Sequence, residues 1–221
     1  MTSPDLLLML LADSRLPVAG YTQSGQLEAA VRDGLRADQV PGFLRTRLAT
    51  VVRIEAGTAA VGLHHLRAGL PLEPVLEAWA ARTPAAPTRE TSRTLAKALL
   101  RLLPRLWPDS AYVTTVRALD APCRPLALAA AAATGGLSPA SLARLVAYDD
   151  LQTVAAAALK LLPLDPAEAT QWVHQTLPEV DALATEVAGL SAPAEIPATS
   201  APQLDLWAYA HARTTRRLFS A

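Results

Sequence analysis

The sequence predicts an all-α fold, a single-domain bundle of roughly eight to ten helices. Apolar residues recur every three or four positions along most of the chain, which is the spacing of one helix face. Several of these segments open with serine or aspartate followed by proline, and others close with glycine, as helix ends require. No run of alternating β-branched residues reaches strand length. With 221 residues, 51% of them hydrophobic, the chain can bury one sizeable core.

The first predicted helix covers residues 4–12, with a serine cap and a proline at its first position. A bend rich in proline and glycine follows, and Leu27 begins the next apolar repeat. Asp38 is placed to cap a long helix that ends at Gly69. The apolar face of this long helix is predicted to contain Leu44, Leu48, Val51, Val52, Ala59, Leu63 and Leu66.

The middle of the chain predicts one shorter helix and two longer ones. Residues 72–79 have helical spacing, and the proline-containing stretch 82–87 separates them from a leucine-rich helix that begins at about Thr88. Pro104 is expected to kink that helix near its end. Residues 121–136 predict a buried, alanine-lined helix that a Gly-Gly pair closes.

The last third of the chain carries the clearest start signals. Ser138 and Asp165 each precede a proline, so we expect one helix from 138 to about 162 and another from 165, kinked at Pro178. A proline-rich segment then precedes a final helix at about 203–216. The predicted organisation is a helical core over 1–189, a linker over 190–202, and a C-terminal helix with a partner-binding tail over 203–221.

Composition excludes several classes of protein. Lys+Arg and Asp+Glu number 20 each, so no excess charge attracts the chain to nucleic acid or to a membrane surface. The single cysteine, Cys123, cannot form an internal disulfide, which fits a reducing cytoplasm. The apolar run over 6–11 is too short to span a bilayer and lacks the basic flank of a signal peptide. We therefore expect a cytoplasmic protein that binds neither nucleic acid nor membrane.

A search for catalytic or metal-binding residues finds no strong candidate. The sequence has no phosphate-binding loop, glycine-rich dinucleotide turn or zincin motif. Cys123 lies in an apolar segment, where a lone cysteine is usually a small core residue. His64 and His65 are adjacent and would point about 100° apart on a helix, although a metal site shared across a symmetric dimer stays open. Asp149 and Asp150 diverge for the same reason, and we expect one to be exposed and the other to be bonded to a neighbouring helix.

One bend concentrates special residues. The stretch DSRLPVAGYTQSGQLEAAV, residues 13–31, contains Pro17, Gly20 and Gly25 around a short polar turn. One interpretation is a rigid loop that presents side chains to a partner at a reduced ordering cost. The other is a simple bend in which Ser24 caps the next helix.

This stretch resembles the N-terminal signature of the urease accessory protein F (UreF) family, which commonly reads D-S-x-L-P-x-G-x-F-x-H-S-x-G-L-E. Tyr21 stands in for the usual phenylalanine, and four later segments resemble family segments in the same order, at 88–102, 125–139, 155–169 and 209–219. The residues that match the signature are Asp13, Ser14, Leu16, Pro17, Ser24, Leu27 and Glu28.

The departures from the family pattern indicate a divergent branch. The usual Gly-Gly is Ala19-Gly20 here, and a frequent histidine is Gln23. A histidine common in the small-residue helix is replaced by Arg124.

The resemblance implies an all-α, non-catalytic protein that forms a homodimer. Because the sequence lacks a cluster of metal ligands, we expect it to hold no metal or cofactor tightly. The resemblance also implies three partners: the nickel-carrying GTP-binding accessory protein (the G type), an accessory protein of the D/H type, and apo-urease. Such an assembly delivers Ni²⁺ to apo-urease, and this protein would regulate the GTPase within it.

Two sets of contact residues are predicted. Glu28 and Lys160 resemble family residues assigned to GTPase contact, and we expect them as one acid and one base on a rigid surface. The C-terminal end is poorly placed to build a core and suits folding onto the D/H-type partner, so deleting 213–221 is expected to abolish that binding. The GTPase-facing set is Tyr21, Gln23, Ser24, Glu28 and Lys160, and the tail set is Arg213, Arg216, Arg217, Leu218 and Phe219. No catalytic, cofactor-binding or metal-binding residue is predicted.

Two other classes of function stay open from the sequence alone. One is a generic α-helical interaction adaptor unrelated to urease. The other is a small helical enzyme, although the chain offers no clustered nucleophile and base.

Overall fold

The computed structural model describes residues 3–13, 15–16 and 22–221. No strand occurs among these residues, so the all-α prediction is confirmed. A π-helical segment, Leu48–Val52, joins α3 to α4, and the eleven spans therefore make ten continuous helices in the described part of the chain. The spans are α1 (Pro4–Leu11), α2 (Leu27–Arg32), α3 (Val40–Arg47), α4 (Arg53–Ala68), α5 (Glu73–Arg82), α6 (Ala86–Leu106), α7 (Ala111–Arg117), α8 (Arg124–Gly135), α9 (Pro139–Leu161), α10 (Pro166–Val187) and α11 (Pro202–Arg213).

The local start and stop signals act as the sequence predicts. The Ser3 hydroxyl accepts a hydrogen bond from the Asp5 amide at 3.3 Å, and the Ser138 hydroxyl accepts one from the Ser141 amide at 3.0 Å. Asp165 caps α10 by accepting from the Ala167 amide at 2.9 Å. Glycines with φ of 67° and 74° close α4 and α8, because the left-handed conformation costs glycine nothing. Each of these helix ends is specified by residues next to it in the sequence.

Two parts of the fold differ from the sequence-based expectation. The short helix α7 was not predicted, because its seven residues bury only Val113 and Val116, too few to form an apolar repeat. The segment 190–202, predicted as a linker, packs onto the bundle instead. Arg82 donates to the Ile196 carbonyl at 2.7 Å, and the Thr199 hydroxyl donates to the Thr50 carbonyl at 3.1 Å.

The core is built around α8, five of whose six alanines are completely buried between α4, α6, α7 and α9. Alanine and glycine at helix contacts let the backbones approach closely. Gly62 of α4 faces α8, and a Cβ atom at that position would lie 2.5 Å from Leu126 Cδ2. None of the helices in the described part of the chain combines the length and the apolarity that crossing a membrane needs.

The close contact between α4 and the segment 190–202 leads to a stability prediction. A Cβ atom on Gly57 would lie 2.6 Å from Cδ of Pro197, whose ring cannot rotate away. We expect Gly57→Ala to lower the free energy of unfolding by about 1–2 kcal/mol, because overpacking outweighs the gain in helix propensity. Urea unfolding measures the change.

Gly42→Ala is the matched control for this substitution. Gly42 also lies in a helix, but nothing stands within 4 Å of the added Cβ atom. We expect this variant to gain about 0.5–1 kcal/mol from helix propensity. Equal gains at both glycines would show that the contact with Pro197 imposes no constraint.

Candidate functional site

The C-terminal tail, residues 214–221, folds back onto the turn that precedes α2. The Ser220 amide donates to the Thr22 carbonyl at 2.7 Å, and the Ser24 amide donates to the Ala221 carbonyl at 2.5 Å. The Ser24 hydroxyl donates to the same Ala221 carbonyl at 3.1 Å. Ser24 therefore holds the tail and does not cap α2, which begins without a side-chain cap.

The carboxylate of Glu28, which is only 2% exposed, accepts hydrogen bonds from two consecutive amides of the tail and lies beside His211 of α11. Its Oε1 accepts from the Leu218 amide and from Arg32 Nη2, both at 2.7 Å. Its Oε2 accepts from the Phe219 amide and lies within hydrogen-bond distance of His211 Nε2, both at 3.0 Å. A buried carboxylate requires such partners. We call Glu28, Arg32, His211, Leu218 and Phe219 the tail clamp.

The hydrogen bonds of the tail clamp favour the charged form of Glu28. Burial alone would raise the pKa of this carboxyl group. The Leu218 amide, His211, the Phe219 amide and the Arg32 guanidinium together outweigh burial and hold the pKa of Glu28 below its usual value. The tail amides therefore bind Glu28 as a carboxylate anion.

One residue of the tail joins the core, although the sequence indicated that the C-terminal end is poorly placed to build one. The ring of Phe219 is 4% exposed, and the Lys160 ammonium lies 5.1 Å from its centroid, in a cation–π contact. Leu218, by contrast, is 62% exposed, and the Arg216 and Arg217 side chains are exposed beside it. The tail thus buries the side chain of Phe219 and leaves that of Leu218 exposed to solvent.

The structure brings the two predicted contact sets together. Glu28 and Lys160 of the GTPase-facing set both contact the tail set, through the tail clamp and the Phe219 ring. The expectation that Glu28 is a surface acid is wrong, because its carboxylate is buried, and Gln23 and Ser24 are buried as well. Of the predicted bend, Ser14, Pro17, Gly20 and Tyr21 lie outside the described residues.

A second group of charges lies inside the bundle. The Arg47 guanidinium, 4% exposed, donates to both carboxylate oxygens of Asp150, at 2.9 and 2.5 Å. Arg124 donates to Asp149 at 2.5 Å. The expectation that one of the two adjacent aspartates is exposed is wrong, because both are half-buried and each pairs with an arginine of a different helix. With Glu55, these residues form what we call the interhelical charge cluster, in which Arg47 is buried and the others are half-buried: Arg47, Glu55, Arg124, Asp149 and Asp150.

Glu55 is the member of this cluster without an arginine of its own. Burial raises the pKa of Glu55 to about 7, although Trp79 Nε1 donates to its Oε1 at 2.6 Å. Three carboxyl groups face two guanidinium groups, so one carboxyl can keep its proton near neutral pH without leaving a cation unpaired. The cluster lines a cavity of about 100 Å³, together with Gln23, whose buried Oε1 has no hydrogen-bond partner.

Comparison with known proteins identifies the family. Residues 35–177 match the sequence model of the UreF family. The chain is 35% identical to the urease accessory protein UreF of Mycobacterium sp. (strain JLS), over 97% of both chains. The chain belongs to the UreF family. The UreF proteins of Mycobacterium bovis (strain BCG / Pasteur 1173P2) and Mycobacterium tuberculosis (strain ATCC 25618 / H37Rv) are 35% and 34% identical over 96% of both chains.

Membership of the UreF family gives the chain a role in urease maturation. It overturns the alternative of an adaptor unrelated to urease, and a family of accessory proteins implies a non-catalytic role. The matched region, 35–177, contains the interhelical charge cluster but neither Glu28 nor the tail. The alignments with the mycobacterial UreF proteins extend beyond it at both ends.

The sequence analysis of this UreF-family chain named Glu28 and Lys160 but missed four residues of the site: Arg32, Arg47, Glu55 and His211. Arg32 had a visible signal, because it lies four residues after Glu28 on the same helix. Arg47 had a visible signal, because it lies at helical spacing between Leu44 and Val51, on the apolar face of its helix. Glu55 and His211 had none, since their partners are distant in the sequence. The prediction for Cys123 is confirmed: the thiol is completely buried, and burial together with nearby Glu55 raises its pKa.

Two histidines of this UreF-family chain have unrelated partners. His65 Nδ1 is 2.6 Å from the Pro71 carbonyl oxygen, at the end of α4, while His211 belongs to the tail clamp. Within the residues that the structure describes, no group of three or more His, Cys, Asp or Glu side chains could hold a metal ion.

The tail clamp leads to a prediction about Glu28. We expect Glu28→Ala to release the tail, because two buried amides lose their acceptor and the tail can recover hydrogen bonds only in water. The free energy of unfolding should fall by about 1–3 kcal/mol. Hydrogen exchange over 214–221 and trypsin cleavage after Arg213, Arg216 and Arg217 measure the release.

Glu179→Ala is the control, because Glu179 is an exposed carboxylate paired with Arg45 at 3.1 Å. It should change stability by no more than about 0.5 kcal/mol and leave the tail protected. In the wild-type protein, the contribution of Glu28 is present above its unfolded pKa and is lost as pH falls through its lower folded pKa. Unchanged tail protection in Glu28→Ala would refute the clamp.

The raised pKa of Glu55 leads to a prediction about pH. Between its unfolded pKa and about 7, the native state keeps a proton that the unfolded state has released, so this group lowers stability as pH rises. Glu55→Gln keeps an acceptor for Trp79 and removes that dependence. Relative to wild type, the variant should gain about 1–2 kcal/mol between about pH 5 and pH 8, less than the full shift because the carboxyl faces a cavity.

Urea unfolding at several pH values tests this prediction. The control is Glu77→Gln, which removes an exposed carboxyl group on α5. The stability difference between this control and wild type should be nearly independent of pH. If Glu55→Gln behaves in the same way, Glu55 does not carry the proton.

Proposed function

We propose that this chain is the non-catalytic subunit of a urease nickel-insertion complex. In this proposal it recruits and regulates the nickel-carrying GTPase, and it couples the GTPase to apo-urease through the accessory protein of the D/H type. It acts as a cytoplasmic homodimer and takes part in Ni²⁺ delivery without holding a metal or cofactor tightly itself.

The observation that supports this proposal is the contact between the two predicted partner sets. Lys160 of the GTPase-facing set lies over the ring of Phe219 of the tail set. Next to Phe219 in the chain, the exposed Leu218, Arg216 and Arg217 combine an apolar anchor with cations. Arginine and large apolar side chains are common where partner proteins bind most tightly. One surface can therefore serve two partners.

The buried members of the two sets have a positioning role in this proposal. Glu28 and Ser24 hold the tail by hydrogen bonds and do not themselves reach the surface. A partner that moves the tail must therefore change the bonds of Glu28 and Ser24. A partner that binds the turn before α2 would then change the affinity of the tail for its own partner. Because linkage is reciprocal, binding of the tail's partner would change the affinity of the turn for the first partner by the same factor. This supports a coupling role for the chain.

Two substitutions on the exposed part of this surface test the proposal. Leu218→Ser removes an exposed side chain, so the backbone bond to Glu28 stays. Lys160→Ala removes an exposed ammonium group. We expect Leu218→Ser to weaken binding of the D/H-type protein, and Lys160→Ala to weaken binding of the GTPase, each by about tenfold. Both partners are assayed by co-purification from one preparation, together with urease activation in cells.

Matched controls separate these effects from general changes of the surface. Leu206→Ser removes a leucine that is 61% exposed on α11, and Arg36→Ala removes an exposed cation paired only with Asp38. Both controls should bind the two partners and activate urease at the wild-type level. If Leu218→Ser and Lys160→Ala do the same, the proposed surface is wrong.

A further inference from the structure

A groove on another part of the surface is lined by basic side chains. It lies between α6 and the loop that joins α7 to α8, and its volume is about 670 Å³. No residue of either predicted contact set lines it. Its charged lining residues are Arg89, Glu90, Arg93, Lys97, Arg101 and Arg117.

The spacing of α6 produces one wall of this groove. Arg89, Arg93, Lys97 and Arg101 follow one another at intervals of four residues, so each stands about one helical turn beyond the last. Together they extend over about 18 Å of the helix axis. Arg117, at the end of α7, adds a fifth cation to the lining.

Most of these cations lack a counterion within the chain. Among the described residues, no carboxylate forms an ion pair with Arg93, Lys97, Arg101 or Arg117, although some exposed arginines elsewhere are paired, such as Arg45 with Glu179. Five cationic side chains and one carboxylate line the groove. The chain as a whole has equal numbers of positive and negative residues, so this arrangement concentrates positive potential at one concave site.

The loop on the opposite side gives the groove a fixed shape. Ala121 lines it with φ of 53°, a left-handed conformation that is unfavourable for a residue with a side chain. Pro122 and the completely buried Cys123 follow directly and anchor the loop to the core. A preformed groove lowers the ordering cost of binding.

We propose that this groove binds an acidic, extended segment of a partner protein. Its length of about 18 Å matches five or six residues of extended chain. Guanidinium groups bind carboxylates through paired hydrogen bonds, which suits glutamate and aspartate side chains.

The lining favours such a segment over other polyanions. It contains no aromatic ring on which nucleic-acid bases could stack. Its one large aliphatic side chain, Leu100, is only 7% exposed, so no apolar group is available to enter a membrane. A concave site also fits a single extended chain better than a flat lipid surface.

Fluorescence anisotropy with a labelled glutamate-rich peptide of about twelve residues tests the proposal on the full chain. We expect binding that weakens as salt rises from about 0.05 to 0.3 M. Arg93→Gln with Lys97→Gln should bind the peptide about tenfold more weakly. A peptide of the same length with glutamine in place of glutamate should not bind.

Arg36→Gln with Arg45→Gln is the matched control, since it removes two positive charges from another part of the surface. It should bind the glutamate-rich peptide within about twofold of wild type. An equal loss in both double variants would overturn the proposal, because binding would then follow net charge. If the first pair fails to fold, as judged by circular dichroism, Arg101→Gln with Arg117→Gln replaces it with the same expected loss.

Two further probes test the class of partner. An oligothymidylate and vesicles containing phosphatidylserine are measured under the same conditions. Tighter binding of either probe than of the peptide, with the same dependence on Arg93 and Lys97, would overturn the proposal in favour of nucleic acid or membrane. Absence of peptide binding up to about 1 mM would also overturn it, since that is the limit of specific recognition.

Discussion

A guanidinium group stays charged inside a protein, so the burial of Arg47 obliges the chain to bring acceptors to it. Asp150 supplies two from α9, and the Gly25 carbonyl and the Gln26 side chain supply others from the turn before α2. That turn needs support, because Gly25 and Gln26 have successive φ values of 57° and 66°. Arg47 therefore fixes the turn, and the turn fixes the start of α2, which carries Glu28. The position of the tail therefore depends on a cation that forms no hydrogen bond with the described tail residues.

Small residues and buried charges have complementary roles in this bundle. Alanines of α8 allow neighbouring helices to approach closely, which gives the core its density. Close packing alone does not fix one arrangement, because alanine surfaces have little shape to interlock. The pairs Arg47–Asp150 and Arg124–Asp149 add direction, since each joins α9 to a different helix. Replacing one partner of such a pair would leave a buried or half-buried charge without its partner, so each pair favours one relative placement of its two helices.

Much of the fold could be predicted because its signals are local. Ser138 and Asp165 bond to amides two or three residues away, so the sequence alone contains both partners of each cap. The site could not be predicted in the same way. Glu28 bonds to Phe219 across 191 residues, and Arg47 bonds to Asp150 across 103. Helical spacing indicates which face is buried, but it does not indicate which buried charges meet. The resemblance to the UreF family singled out Glu28, yet it could not tell a surface acid from a buried one.

The distinction between contact and positioning changes how variants of this surface should be interpreted. Deleting 213–221 removes Leu218 and Phe219, and with them two of the donors that keep the Glu28 carboxylate satisfied in the interior. Glu28 would then retain only Arg32 and His211, and the apolar site under the Lys160 ammonium would open to water. Loss of a partner after such a deletion would combine a missing contact surface with a disturbed turn at the start of α2. A substitution at Leu218 leaves the amide bonds in place, because its side chain points to solvent while its backbone holds Glu28. Only a change of this kind separates the contact of the tail with a partner protein from its structural role as a hydrogen-bond donor to Glu28.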